Sequence, residues 1–250
     1  ETAPVVNLSI NNSSIAENSD GTITVTATLS FATIINTTVV IDTSGTGTEG
    51  TDYGSISDIT INAGSTTGTA TFDPTDDSIY EGNETATVSI ASVVGADAGS
   101  TTSQTITITD NESAPTVTLA TSATSIAEDA GSSLTLTATS SIVADEDITV
   151  SIATSGTGTE GTDYNTISDI TISAGATTGT ASFTPINDTV FEANETAIVS
   201  ISTVSGADAT ESGTQSETIT IVKDADAAPT VTLATSATSI AENAGSSLTL

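Results

Sequence analysis

The chain has 250 residues, with 32 Asp and Glu against a single Lys or Arg and a formal net charge of −31. Nothing in it can neutralise a run of phosphates, so nucleic acid is excluded as a partner and an anionic membrane surface is disfavoured. The absence of Cys and His removes disulfides, thiol chemistry, a Ser-His-Asp triad and a zinc site of the usual kind.

High charge and few aromatics would favour disorder, but 36% of the residues are hydrophobic, and most of these are β-branched and alternate with Thr and Ser. In chain order, alternation predicts strands over 5–10, 22–29, 37–43, 56–61, 68–72, 84–90 and 105–109. Gly, Asn, Asp and Ser turns separate them. Seven strands in about 110 residues indicate an all-β, immunoglobulin-like antiparallel β-sandwich. Ile, Val, Leu and Ala fill the inner faces, and Thr the outer ones, where it has high strand propensity and needs no partner.

The pattern then starts again. Pro4-Val-Val-Asn-Leu8 returns as Pro115-Thr-Val-Thr-Leu119 and Pro229-Thr-Val-Thr-Leu233, and Gly45-Thr-Gly-Thr-Glu-Gly-Thr-Asp-Tyr53 returns unchanged as Gly156 to Tyr164. The repeat is domain-sized, too long for a solenoid turn. The expected organisation is the tail of a preceding repeat over 1–3, repeat 1 over 4–114, repeat 2 over 115–228 and the start of a third over 229–250. Glu1-Thr-Ala-Pro4 matches Glu112-Ser-Ala-Pro115, so the chain reads as a slice of a longer array.

Strand parity sorts the acids. With the first strand running upward, Glu17 lies in a top connection, as do Glu49 and Asp52, and then Asp76, Asp77, Glu81 and Glu84; Asp110 and Glu112 end the last strand, also at the top. The bottom connections are poorer: 30–36 has no acid, and the connection before the last strand holds only Asp97. So many carboxylates raise one another's pKa and repel. Repeat 1 has no Lys or Arg to relieve them. A hard divalent cation would, and Ca2+, with six to eight oxygen ligands in irregular geometry, suits better than Mg2+.

Ile15-Ala-Glu17, Gly50-Thr-Asp-Tyr53, Asp76-Asp-Ser-Ile-Tyr-Glu81-Gly-Asn-Glu84 and Asp110-Asn-Glu112 together resemble the Calx-beta domain. That family has immunoglobulin-like sandwiches and occurs in sodium–calcium exchanger regulatory domains, in integrin β4 and in large bacterial surface proteins. The resemblance implies Ca2+ ligands at Glu17, Asp52, Asp76, Asp77, Glu81, Glu84 and Asp110, with Glu112 beside them. In repeat 2 the matching residues are Glu128, Asp163, Asp188, Glu192 and Glu195, with Asp224 and Asp226 at the end of the last strand. Asn187 replaces Asp76, and Lys223 stands beside the expected site, so this site is less negative. Repeat 3 offers only Glu242.

The catalytic inventory is too thin for an enzyme. The leading expectation is a calcium-binding structural or adhesive repeat, stiffened by Ca2+ into an extended rod of a bacterial cell-surface or secreted fibre. Its partners would be neighbouring repeats of the same chain and other copies in a fibre, with no membrane insertion in this segment. The alternatives are a calcium-dependent glycan- or protein-binding module, a calcium sensor, which would need a partner domain, and a filament subunit that donates strands from its incomplete third repeat.

Overall fold

A computed structural model of the chain describes residues 2–243 together with 245, 247 and 249. All of its regular structure is strand, and it forms two sandwiches. The first contains β1 (Val5–Ile10), β2 (Ser14–Ala16), β3 (Ile23–Leu29), β4 (Thr37–Gly45), β5 (Ile59–Ile61), β6 (Thr67–Phe72), β7 (Glu84–Val94), β8 (Asp97–Ala98) and β9 (Ser103–Thr109). The second contains β10 (Thr116–Thr121), β11 (Ser125–Ala127), β12 (Leu134–Ser140), β13 (Ile148–Gly156), β14 (Ile170–Ile172), β15 (Thr178–Phe183), β16 (Glu195–Ser205), β17 (Thr210–Glu211) and β18 (Ser216–Val222).

Each repeat therefore has nine strands, not seven. The additions, β2 and β8 in repeat 1, are three and two residues long, too short to show an alternating pattern. β2 is the second half of the first strand. β1 pairs antiparallel with β3 in one sheet, and the chain then crosses at Asn11 and Asn12 so that β2 pairs parallel with β9 in the other. β8 pairs parallel with β1 at the opposite end. The sheet orders are β6-β3-β1-β8 and β2-β9-β7-β4-β5, and repeat 2 reproduces both. Splitting the first strand does not change the direction of any later one, so the expected top and bottom stand. β4 and β7 also run further than expected, through a bulge where the register shifts between Val40 and Ile41.

Alternation in β3 puts Ile23, Val25, Ala27 and Leu29 in the core and Thr24, Thr26 and Thr28 outside. Burying each large aliphatic side chain contributes roughly 1.5–3 kcal/mol. Tyr53 stacks on Phe72 with centroids 4.8 Å apart, and Tyr164 repeats the contact on Phe183 at 4.9 Å. Each repeat has its own core.

Among the described residues beyond Val222 there is no strand. One backbone hydrogen bond of repeat 2 nonetheless recurs in the third. The Ser236 N–H donates to the Thr249 carbonyl at 3.1 Å, as the Ser122 N–H does to Thr135 in repeat 2. Val231 and Leu233 are exposed, whereas their counterparts Val117 and Leu119 are core residues.

Candidate functional site

The top loops of repeat 1 are held together by backbone before any carboxylate enters. Gly45 ends β4 with φ +138°, and a Cβ there would lie 2.0 Å from the Thr85 carbonyl oxygen. Only glycine lets the loop after β4 lie on the start of β7. The Gly47 N–H donates to the Thr85 carbonyl at 3.0 Å, and the Thr85 N–H to Thr46 Oγ1 at 2.8 Å. Further on, the Thr75 N–H donates to the Asp52 carbonyl at 3.0 Å, and Tyr53 bridges to Pro74. These bonds bring Asp52 beside Glu84 and tie both to the β6–β7 loop. Glu49 is taken up inside its own loop, accepting from Thr43 Oγ1 at 2.7 Å, and stays outside the cluster.

Three groups of carboxylate oxygens then converge, each within 4.8 Å: Glu17 with Asp77 and Glu81, Glu17 with Asp110 and Glu112, and Asp52 with Glu81 and Glu84. Glu17 and Glu81 are shared, so seven acids form one continuous cluster. Glu17 and Asp52 are buried. Glu17 Oε1 accepts from the Asp77 N–H at 2.8 Å. Asp110 Oδ2 accepts from the N–H groups of Glu81 and Gly82 at 2.8 and 2.6 Å, and its Oδ1 from Glu112 N–H at 2.7 Å. The end of β9 thus fastens the β6–β7 loop. Asp76 is exposed and belongs to none of the three groups.

Burial is the largest cause pushing Glu81 and Glu84 up to about 7, followed for both by the charge of Asp52. Glu17 is raised by burial and by Asp77, Asp110 and Asp76, against the lowering effect of the Asp77 N–H. Glu112 is raised by burial and by its contact with Asp110. Its Oε2 is buried without a hydrogen-bond partner. Such an atom costs free energy unless a cation, a proton or a hydrogen-bond donor meets it. The donors are all hard carboxylate oxygens, the set that suits Ca2+. The residues present fit that ion, with Glu17, Asp52, Asp77, Glu81, Glu84, Asp110 and Glu112 as those that would hold it.

Repeat 2 assembles less. Asp163, Glu192 and Glu195 form the single group found there among the described residues. Glu128 is buried and accepts from the Asp188 N–H at 3.2 Å. Burial and then Asp163 push Glu195 up to about 7, and its Oε2 is buried and unpartnered, as is Asp226 Oδ2. The departure is at the end of β18. The Lys223 N–H donates to Asn194 Oδ1 as the Asp110 N–H does to Asn83 Oδ1. Lys223 therefore occupies the backbone position of Asp110, and Asp224 comes one residue late. Asp224 accepts from Asp226 N–H at 3.0 Å, but no bond to the β15–β16 loop appears among the described residues. Glu242 is exposed and stands apart from every group.

The cluster of repeat 1 lies at the junction with repeat 2. The Tyr80 N–H donates to the Val143 carbonyl at 2.9 Å, the Asp145 N–H to the Tyr80 carbonyl at 3.2 Å, and the Tyr80 hydroxyl to Asp208 Oδ2 at 3.0 Å. Tyr53 is buried in the core, so both tyrosines near the top of repeat 1 are engaged inside the protein. A cavity of about 280 Å³ at this junction is lined by Glu81, Asn83, Asp145, Glu146 and Asp208, among others. Asp145 adds to the charge felt by Glu81 and Glu84, and is itself raised by burial and then by Glu146. Sequence reasoning missed Asp145 and Glu146. The run Asp145-Glu-Asp147 was visible, but it occupies a bottom connection, which is acid-free in repeat 1, and only the junction brings it to the top of the preceding sandwich.

A model of the Calx-beta domain family matches residues 1–112 and 110–226. No curated protein matches the chain. Among solved structures, CBD12 from CALX1.2 is 14% identical over 87% of this chain and 99% of its own, with a TM-score of 0.40. The Yersinia pseudotuberculosis adhesin InvE is 14% identical over 88% of this chain and 60% of its own, also at 0.40. Invasin, a bacterial integrin-binding protein, is 16% identical over 89% of this chain and 41% of its own, at 0.33.

Proposed function

The chain belongs to the Calx-beta domain family, and on that premise we propose that it is a calcium-binding structural or adhesive repeat. Ca2+ held by the carboxylates at the top of repeat 1 stiffens the junction with repeat 2, and successive repeats form an extended rod of a cell-surface or secreted fibre. The observation that carries this reading is the continuous seven-carboxylate cluster with a buried, unpartnered Glu112 oxygen, placed beside the Tyr80 contact between repeats. Repeat 2, with Lys223 in the backbone position of Asp110, binds more weakly or holds fewer ions. No catalytic role is proposed, since the acids have no His, Cys or Arg to work with.

The test is melting of the whole chain in calcium and in chelator, with small-angle scattering in both. A ligand specific to the folded state stabilises by RT ln(1 + [L]/Kd), about 2.7 kcal/mol at a hundredfold excess over Kd. The chain is expected to melt higher and scatter as a more extended particle in calcium. Asp77→Asn with Asp110→Asn should lose most of the calcium-induced rise. Identical melting in calcium and chelator refutes the reading. So does a double variant more stable than the parent in calcium, which would mean that the acids merely repel.

A further inference from the structure

The same four residues, Gly-Ala-Asp-Ala, follow the longest strand of each repeat, at 95–98 and at 206–209, and they take two different conformations. In repeat 1 only Gly95 is left-handed, with φ +95°. The chain then extends at once, and Asp97 and Ala98 form β8 opposite Val5 and Val6. The Asp97 N–H donates to the Pro4 carbonyl at 2.9 Å and the Gly99 N–H to the Val6 carbonyl at 2.7 Å. In repeat 2 Gly206 has φ +91°, but Ala207 and Asp208 follow it at +50° and +49°. The Ala209 N–H closes this turn on the Gly206 carbonyl at 3.0 Å, and the strand begins later. Thr210 and Glu211 form β17, with the Thr210 N–H on the Pro115 carbonyl and the Ser212 N–H on the Val117 carbonyl.

The last strand follows the tetrapeptide after residues 99–102 in repeat 1 and after 210–215 in repeat 2, so repeat 2 carries two extra residues behind it. The fold uses them to push the tetrapeptide into a longer turn. A slip of two residues would put Asp208 and Ala209 where repeat 1 has Asp97 and Ala98, and lengthen the loop behind them. Such a slip leaves every side chain on its own face, because the pleat has a period of two. The longer loop costs little.

Among the described residues, Ala207 and Asp208 are the two with positive φ that are not glycine. Left-handed backbone is disfavoured wherever there is a Cβ, and a turn with two such central residues is one where Asn-Gly is preferred. Strain of this kind persists where the surroundings over-determine it. Here the surroundings include the top of repeat 1. Tyr80 packs against the core of repeat 2, and its hydroxyl donates to Asp208 Oδ2 at 3.0 Å. The Ala207 N–H donates to Glu146 Oε2 at 3.3 Å, in the same loop whose Val143 and Asp145 bond the Tyr80 backbone. Ala207 is buried and forms part of the wall of the junction cavity.

We propose that the 206–209 turn is a latch with two registers, and that seating of Tyr80 selects the strained one. While the repeats are seated, Tyr80 holds Asp208 and the strand starts at Thr210. When the joint opens, the turn relaxes into the register of repeat 1. The Asp208 N–H then takes the Pro115 carbonyl, the Thr210 N–H takes Val117, and Ser212 loses its partner. The surface that Tyr80 fits is thereby erased until the strand slips back. No cation takes part, so the latch stands or falls separately from the calcium reading.

Residue-resolved amide hydrogen exchange of the full chain, followed by NMR in one calcium-containing buffer, tests this. In the parent, Thr210 and Ser212 should be protected and Asp208 should exchange freely. Tyr80→Ala should lower the protection of Ser212 and raise that of Asp208, each by roughly tenfold or more. Thr210 should stay protected, and unchanged amides in β12 and β13 should show the sandwich folded. Tyr80→Phe, which removes only the hydroxyl, should move Ser212 and Asp208 in the same directions by a smaller factor. Ala207→Asn with Asp208→Gly, added to Tyr80→Ala, should restore the parent pattern, because that pair accepts the left-handed turn unaided. A Tyr80→Ala chain with Ser212 as protected as in the parent overturns the proposal. So does one in which Ser212 and Asp208 both exchange freely, since the turn would then melt instead of slipping. A triple variant that keeps the Tyr80→Ala pattern also overturns it, because strain would not be what drives the slip.

Discussion

Acidification should stabilise this protein when calcium is absent and destabilise it when calcium is present. Glu81 and Glu84 are raised from 4.5 to about 7 in the folded chain, chiefly by burial and by Asp52, and Glu195 likewise by burial and Asp163. A carboxyl with a raised folded value takes up protons on folding. Its contribution is fully present below about 4.5 and is lost as pH climbs through 7. At about 1.4 kcal/mol per pH unit, each such group would contribute roughly 3 kcal/mol in a dry site. These side chains keep some contact with water, which reduces the figure to about 1 kcal/mol each. The metal-free repeat 1 should therefore lose about 2 kcal/mol and repeat 2 about 1 kcal/mol between pH 4.5 and 7.5. For domains of about 110 residues, 1 kcal/mol is worth about 4 °C, so in chelator the melting midpoint of repeat 1 should fall by roughly 8 °C and that of repeat 2 by roughly 4 °C across that range. Calcium reverses the slope, because the ion needs the same carboxylates deprotonated. The gap between calcium and chelator midpoints should widen steadily from pH 5 to pH 7.5, with protons released on binding at pH 6.5. Calorimetric melts at four pH values in each condition decide this. A chelator midpoint that is flat or rises with pH would refute the burial argument.

Three other outcomes follow from packing and backbone. Thr37 is fully buried and its Oγ1 has no partner, whereas repeat 2 has Ile148 there; Thr37→Val should stabilise repeat 1 by about 1 kcal/mol in urea unfolding, by removing a stranded hydroxyl. Gly45→Ala should cost roughly 2 kcal/mol or more in the same assay and weaken calcium binding, because its Cβ collides with the Thr85 carbonyl and shifts Asp52 away from Glu84. Asp110→Asn should lower calcium affinity by a larger factor than Asp76→Asn in titration calorimetry, since Asp110 fastens the β6–β7 loop and Asp76 stands outside the converging groups.

Alternation of β-branched residues with Thr was enough to read the sandwich class, the repeat and the direction of the long strands, because a period of two reports a face directly. Direction in turn places Glu17, Glu49, Asp52, Asp76, Asp77, Glu81, Glu84, Asp110 and Glu112 at one end. Spacing could not say which of them meet. Asp76 and Asp77 are adjacent, yet Asp77 joins Glu17 and Glu81 while Asp76 faces out, since consecutive side chains point apart and the loop backbone chooses between them. β2 and β8 were invisible because two or three residues carry no period; they exist because a neighbouring strand offers unpaired backbone groups. Asp145 and Glu146 belong to the junction of repeat 1 only through the Tyr80 contact, which depends on how one sandwich seats on the next. Local pattern determines which face a residue takes within its own strand; which loops meet is decided by packing across sheets and repeats, where contacts between residues far apart in sequence set the geometry.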